Sequence, residues 1–230
     1  MEAIILAGGL GTRLRSVVSD LPKCMAPVAG QPFLYYLLKY LGTCHFTHII
    51  LSVGYKHEII EDYISKNNWP FSISYSIENE PLGTGGAIKF AMTKANEDQV
   101  LIMNGDTFFE VDLEAYYRFH SQKKADISLA LKPLSDFDRY GTVETDKNDK
   151  ICAFLEKQPC QKGKINGGIY LINRNSSLLN IGKDTFSFET DVLQKCTTNS
   201  TIYGFSSSGY FIDIGIPEDF AQANIDFKER

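Results

Sequence analysis

The sequence predicts an α/β protein built on a largely parallel sheet with helices on both faces. Two observations carry this. Short apolar runs without polar alternation recur through the first half, as expected of strands buried on both sides. Stretches with helical apolar spacing separate them. In order, Ala3–Ala7 reads as a buried strand, Phe33–Leu41 as a helix and His48–Val53 as a second strand. Lys56–Asn67 places Ile59, Ile60, Tyr63 and Ile64 on one helical face. Phe71–Ile77 alternates as a strand. Gly85–Ala95 is helical, with Ala87, Ile88, Ala91, Met92 and Ala95 on one side, and Val100–Met103 is a short, fully apolar strand. The second half is less regular. Asp126–Lys132, Ile165–Ile172 and Tyr210–Ile214 read as strands. Thr142–Thr145 and Ile151–Leu155 flank the turn-rich Asp146-Lys147-Asn148-Asp149 and form a hairpin. Pro217 opens a C-terminal helix, because its fixed φ suits the first helical position. No linker, repeat or low-complexity tract interrupts the chain. One domain over residues 1–230 is expected, its two halves meeting near residue 110.

Composition narrows the function. The 230 residues suffice for a sizeable core, and 43% apolar with 22% charged is an ordinary globular balance. A net charge of −5 argues against nucleic-acid binding through a basic face. The five cysteines (Cys24, Cys44, Cys152, Cys160 and Cys196) are odd in number and lack C-x-x-C spacing, so reduced thiols are expected rather than a disulfide framework or a zinc site. No run approaches the ~20 apolar residues that cross a bilayer, and no signal-peptide pattern opens the chain. A cytoplasmic protein that does not bind membranes is expected. His45 and His48, three apart, have no third ligand nearby in sequence and are read as a helix end and a strand start. The pairs Tyr35-Tyr36 and Tyr116-Tyr117 belong in the core or at an interface, and a homo-oligomer is compatible with them.

The stretch IILAGGLGTRL, residues 4–14, points to chemistry. Gly8, Gly9 and Gly11 fall within four positions directly after the first strand. A glycine in an element interior is destabilising by roughly 0.5–1 kcal/mol relative to alanine, so a cluster implies close approach to the backbone. Backbone N–H groups at such a turn cradle phosphates. A P-loop needs G-K-[ST] after its last glycine, whereas Thr12-Arg13 follows Gly11. A dinucleotide fingerprint needs a third glycine where Leu14 stands and an acid after the second strand, where Val53-Gly54-Tyr55-Lys56 stands. A dehydrogenase is disfavoured accordingly. A ligand-free turn would explain one or two of the glycines but not Thr12-Arg13 beside them.

A third pattern fits better. Gly8-Gly9-Leu10-Gly11-Thr12-Arg13-Leu14 is followed by Leu21-Pro22-Lys23-Cys24-Met25-Ala26-Pro27-Val28. This long composite resembles the sugar-1-phosphate nucleotidyltransferase family, and the resemblance extends from Glu2 to about Phe220. It implies a Rossmann-like open mixed sheet, mostly parallel and flanked by helices, with a small hairpin-containing sugar-binding part. It also implies the reaction of a nucleoside triphosphate with a sugar 1-phosphate to give a nucleotide sugar and pyrophosphate. Many relatives carry an additional C-terminal domain; none is expected here. The nucleophile of such a reaction is already an anion, so catalysis should consist of positioning and charge neutralisation.

The resemblance supplies the site residues. Arg13 would stabilise the leaving pyrophosphate, Lys23 the α-phosphate, and Asp106 and Asp213 would hold Mg²⁺, a hard cation that takes carboxylate and phosphate oxygens. Arg13, Lys23 and Asp106 are thus the implied catalytic residues. Asp106 follows an apolar strand, where ligands bind in open α/β sheets, and Asp213 lies among isoleucines, where an unpaired acid is costly. The implied nucleotide-binding positions are Leu6, Ala7, Gly8, Gly9, Gly11, Thr12, Arg13, Lys23, Glu78, Gly83 and Thr84. Glu78 would face the base. A carboxylate only accepts hydrogen bonds, and guanine offers N1–H and N2–H₂ together, which favours GTP. Gly141, Glu156 and Asn166 would bind sugar hydroxyls and Lys157 the sugar phosphate. Within the family the short chain with LGTGGA and NGDTF is nearest the enzymes that take a heptose 1-phosphate. Mannose 1-phosphate guanylyltransferases, MurNAc 1-phosphate uridylyltransferases and glucose 1-phosphate cytidylyltransferases fit the same motifs. A regulatory subunit without catalysis would be expected to lack Arg13, Lys23, Asp106 or Asp213, and all four are present. Relatives use the region around Phe186–Asp191 to shape the acceptor pocket; the sequence assigns it no role here.

Overall fold

The computed structural model describes residues 1–9, 21–195 and 201–228. In chain order the strands are β1 (Glu2–Leu6), β2 (Pro27–Val28), β3 (Gln31–Pro32), β4 (His48–Val53), β5 (Ser72–Ile77), β6 (Gln99–Asn104), β7 (Thr107–Phe109), β8 (Ile127–Phe137), β9 (Val143–Thr145), β10 (Ile151–Phe154), β11 (Cys160–Asn173), β12 (Ile202–Ser206) and β13 (Phe211–Asp213). The helices are α1 (Phe33–Gly42), α2 (His57–Ser65), α3 (Gly83–Met92), α4 (Leu113–Lys123) and α5 (Pro217–Asp226). Seven strands form the main sheet in the order β12-β8-β11-β6-β1-β4-β5. Pairing is parallel throughout except along β11, which runs antiparallel to β6 and β8. The mixed, mostly parallel sheet is therefore as expected, and it runs through both halves of the chain.

Both faces of the sheet are covered, which explains the unbroken apolar runs. Along β1, Ala3 and Ile5 join Ile49, Leu51, Leu101 and Met103 in a layer with Leu34, Leu37 and Leu41 of α1. Ile4 points the other way, joining Ile50, Ile102 and the α3 residues Ile88, Ala91 and Met92. Helix ends follow local chemistry. Asp112 accepts a hydrogen bond from the Ala115 N–H at 2.9 Å and caps α4, which stops at Lys124 in a left-handed conformation. Pro217 opens α5 as expected.

Several sequence readings needed correction. The strands read as Asp126–Lys132 and Ile165–Ile172 extend to Phe137 and from Cys160, respectively. These extensions are polar and half-exposed, so hydropathy did not mark them. The short strands β7 and β12 were not anticipated. The hairpin was, and it is closed by Asp146, whose Oδ1 accepts from the Asn148 and Lys150 N–H groups at 2.8 and 2.9 Å. His48 is a structural residue: Nδ1 contacts Glu2 at 2.8 Å and Nε2 contacts Ser74 at 2.8 Å. Tyr36 and Tyr116 are buried in the core. Among the described residues Cys24, Cys44, Cys152 and Cys160 are free thiols; Cys196 lies outside them.

At the amino end of β1, Glu2 is buried yet charged. Its Oε2 accepts from the Asn96 and Glu97 N–H groups at 2.6 and 2.7 Å. Burial pushes its pKa up, but these donors and His48 outweigh burial and hold it below the ordinary carboxylate value. Its stabilisation is therefore present above the unfolded-state pKa and is lost as pH falls through the folded-state value. Glu2→Gln should cost about 1–3 kcal/mol at neutral pH. In thermal melts the gap to the unaltered chain should narrow below about pH 4; a gap independent of pH would refute the assignment.

Candidate active site

The site lies beyond the carboxyl ends of β1, β4, β5 and β6, the expected place in an open α/β sheet. A cleft of ≈ 690 Å³ opens there. Leu6, Ala7, Gly8, Gly9, Lys23, Glu78, Gly83, Thr84 and Asp106, all implied by the sequence, line it. Gly11, Thr12 and Arg13 lie outside the described residues. Ser52, Tyr55, Asn79 and Asn104 also line the cleft and were missed. The signal available for Ser52, Tyr55 and Asn104 was their position at or just past the ends of β4 and β6.

Close approach accounts for the glycines at the strand ends. The Gly105 N–H donates to the Leu6 carbonyl at 3.0 Å, and a Cβ on Gly105 would lie 2.6 Å from that oxygen. A Cβ on Gly8 would lie 3.0 Å from Glu78 Oε1. Glu78 is fixed at both oxygens: Ser52 Oγ donates to Oε1 at 3.2 Å and the Leu82 N–H to Oε2 at 3.1 Å. The second glycine loop divides its tasks. Gly83 (φ +70°) and Thr84 border the cleft, but Gly85 and Gly86 serve packing. A Cβ on Gly85 would sit 2.2 Å from the Phe186 ring, and one on Gly86 2.2 Å from the Asp184 carbonyl oxygen. The Phe186 carbonyl also accepts from the Gly85 and Gly86 N–H groups, occupying donors of the first turn of α3.

At one edge of the cleft two carboxylates meet a lysine. Asp106 follows β6, and Asp213 ends β13, which pairs antiparallel with β7 so that Asp213 stands opposite Thr107. The Ile214 N–H donates to the Asp106 carbonyl at 3.0 Å and locks the two turns together. Lys23 Nζ lies 2.5 Å from Asp106 Oδ2 and 3.9 Å from Asp213 Oδ1. Gly215 completes the cradle: its N–H donates to Asp213 Oδ1 at 2.8 Å, and a Cβ there would lie 2.8 Å from that oxygen and 3.1 Å from Lys23 Nζ. Burial, and then the charge of Asp106, push the Asp213 carboxyl above its ordinary range, against the opposing pull of Lys23. Such a pair favours a cation. Among the described residues no group of three or more His, Cys, Asp or Glu could hold a metal. The two aspartates suit a hard divalent ion that completes its shell with substrate and water oxygens. Neighbouring Cys24 is no nucleophile, since burial and then Asp106 push its thiol up to about 12.

The residues that the sequence implied for the acceptor are brought together in part. The β8–β11 register shifts between Asn166 and Tyr170, at the Gly167-Gly168 pair. Gly168 (φ +72°) approaches Asn104 of the cleft, where a Cβ would lie 2.8 Å from Asn104 Nδ2. Asn166 Nδ2 donates to the Tyr170 hydroxyl at 2.9 Å, and its Oδ1 accepts from the Gly168 N–H at 3.1 Å. Gly141 packs on the Leu155 carbonyl, 2.5 Å from where its Cβ would be, next to Glu156. Glu156 and Lys157 are exposed on the loop between β10 and β11, and the described residues offer them no hydrogen-bond partner. Arg139 is tied to Asp219 of α5 at 2.8 Å, which holds the Arg139–Gly141 loop towards Asp213.

The fold and this cleft define a nucleotide-handling enzyme. The model of the nucleotidyl transferase family matches residues 2–230, and the chain belongs to that family. It is 52% identical to the D-glycero-α-D-manno-heptose 1-phosphate guanylyltransferase of Aneurinibacillus thermoaerophilus, over 97% of this chain and 96% of that one. It is 44% identical to the enzyme of the same name from Campylobacter jejuni, over 96% and 97%. The crystal structure of HddC from Yersinia pseudotuberculosis complexed with GMP-PN superposes with a TM-score of 0.88, at 39% identity and 99% coverage of both chains.

If the carboxylate pair is the cation site, Asp106→Asn and Asp213→Asn should each lower turnover by about 10²-fold or more, with the melting temperature preserved. A rate close to that of the unaltered chain in either variant would remove that aspartate from the chemistry.

Proposed function

We propose that the chain transfers the GMP unit of GTP to D-glycero-α-D-manno-heptose 1-phosphate, giving the GDP-sugar and pyrophosphate. The observation that carries this reading is the meeting of Lys23, Asp106 and Asp213 at the cleft edge, between the nucleotide loops and the acceptor strand. The enzymes 52% and 44% identical to it support the choice of substrates. An oxygen of the sugar phosphate attacks the α-phosphorus, the bond from that phosphorus to the bridging oxygen breaks, and pyrophosphate leaves with the electron pair. No general base is needed. Lys23 is assigned to the α-phosphate, where charge builds, and Arg13 to the leaving pyrophosphate. Asp106 and Asp213 would hold Mg²⁺, which supplies charge neutralisation of phosphate oxygens when bound. Glu78, anchored by Ser52 and Leu82, keeps lone pairs for the paired N–H donors of guanine. Gly141, Glu156 and Asn166 are assigned to sugar hydroxyls and Lys157 to the sugar phosphate.

Among the described residues no helix is long and apolar enough to cross a membrane. We assign the protein to the cytoplasm, where GTP is available and its thiols would remain reduced.

Pyrophosphate release in the presence of Mg²⁺, measured with four nucleoside triphosphates against heptose, mannose and glucose 1-phosphates, tests the reading. Turnover should concentrate on GTP with the heptose phosphate; turnover confined to UTP or CTP would overturn the nucleotide assignment. Glu78→Gln should narrow the preference for GTP over UTP by about 10-fold or more. An unchanged ratio would show that Glu78 does not read the base.

A further inference from the structure

The segment that follows Asp184 joins the nucleotide half to the acceptor half, and Glu189 is its pivot. Residues Phe188–Leu193 wind as a π-helix, a form that is rare and concentrated at functional sites. Ser187 caps this turn, accepting from the Thr190 N–H at 3.2 Å. Glu189 is half-buried and uses one oxygen twice. Its Oε2 accepts from Thr84 Oγ1 at 2.6 Å and from Ser187 Oγ at 3.1 Å. Oε1 has no partner among the described residues. Thr84 in turn accepts from the Phe188 N–H at 2.9 Å, and it lines the nucleotide cleft.

The opposite side of the segment faces the acceptor strand. The Phe188 and Tyr170 rings pack edge to face, with centroids 5.0 Å apart, and the Tyr170 hydroxyl accepts from Asn166 Nδ2. Glu189 follows Phe188 directly in the chain, and after burial its charge is the largest influence raising the Tyr170 hydroxyl. Two hydroxyls holding one oxygen fix the carboxylate's rotamer. They leave its second oxygen, which is not buried, open to solvent and to a hydroxyl or N–H of a bound substrate. The acceptor substrate is rich in hydroxyls.

We propose that Glu189 is a specificity residue for the acceptor: Oε2 is tied to the nucleotide helix through Thr84, and Oε1 receives a hydrogen bond from a sugar hydroxyl. This rests on the reading of the acceptor as a sugar 1-phosphate. Glu189 would add a carboxylate on the α3 side of the site to Glu156, which is assigned to the sugar from the loop between β10 and β11.

The test is Glu189→Gln, with steady-state kinetics in both substrates and the unaltered chain measured alongside. The KM for the sugar 1-phosphate should rise about 10- to 100-fold, the loss expected of a hydrogen bond to a charged acceptor, while the KM for GTP stays within about two-fold. A purely structural staple between α3 and the π-helix would instead raise the KM for GTP in step, and that outcome overturns the proposal. So does an unchanged KM for the sugar phosphate. Should Glu189→Gln give no cooperative melt, Glu189→Asp, which keeps the charge but withdraws it by one methylene, should show the same split in smaller measure; no split overturns the proposal. If the unaltered chain turns over no sugar 1-phosphate with GTP, the functional reading fails and this proposal with it. Turnover by the unaltered chain with an unaffected variant strikes this proposal alone.

Discussion

Two like charges held at one edge of a sheet set the terms for the rest of this molecule. Asp106 and Asp213 come from chain positions more than a hundred residues apart. The β7–β13 pairing and the Ile214–Asp106 backbone bond hold them together. Their repulsion opposes folding, and burial of Asp213 adds to it. Lys23 offsets part of this from the short helical turn Lys23–Met25, at the cleft mouth. A frame that keeps such a pair assembled must be stiff. Here the stiffness comes from a sheet covered on both faces, with successive residues of β1 buried in opposite layers. A closely packed interior of that kind transmits strain rather than yielding to it.

The glycines show how the same residue serves two ends. Gly105 allows the turn after β6 to press on the backbone after β1, so two loops of the cleft share one wall. Gly85 and Gly86 allow the segment around Asp184–Phe186 to lie directly on α3. That segment then takes up N–H groups at the start of α3 that a phosphate could otherwise have used. Helix α3 is therefore bonded directly to the segment around Phe186. The Thr84–Glu189 hydrogen bond adds a second tie between α3 and that segment.

Much of the cleft lining was legible in the sequence because it is local. A strand, a turn and the residues that leave it are contiguous, so Leu6–Gly9, Glu78, Gly83, Thr84 and Asp106 could be placed on one rim from spacing and the family resemblance. The acceptor side was harder. The long β8–β11 pair carries polar, half-exposed ends that no hydropathy pattern marks, and β7 and β12 are too short or too ordinary in composition to stand out. Glu189 lies in a stretch whose only sequence signal was an unassigned FSFETD. Its importance arises from a hydroxyl 105 positions away.

By itself the sequence determined the fold class, the order of most elements, the loops that form the nucleotide rim and the family. These follow from periodicities and turn chemistry that act over a few residues, and from a long motif that leaves little room for coincidence. The tertiary structure alone decided which carboxylates share a charge with Lys23, which glycines serve a ligand and which serve a neighbouring segment, and how the acceptor half is tied to the nucleotide helix. Those outcomes depend on contacts between residues far apart in the chain, and only the closed sheet brings them within hydrogen-bond distance.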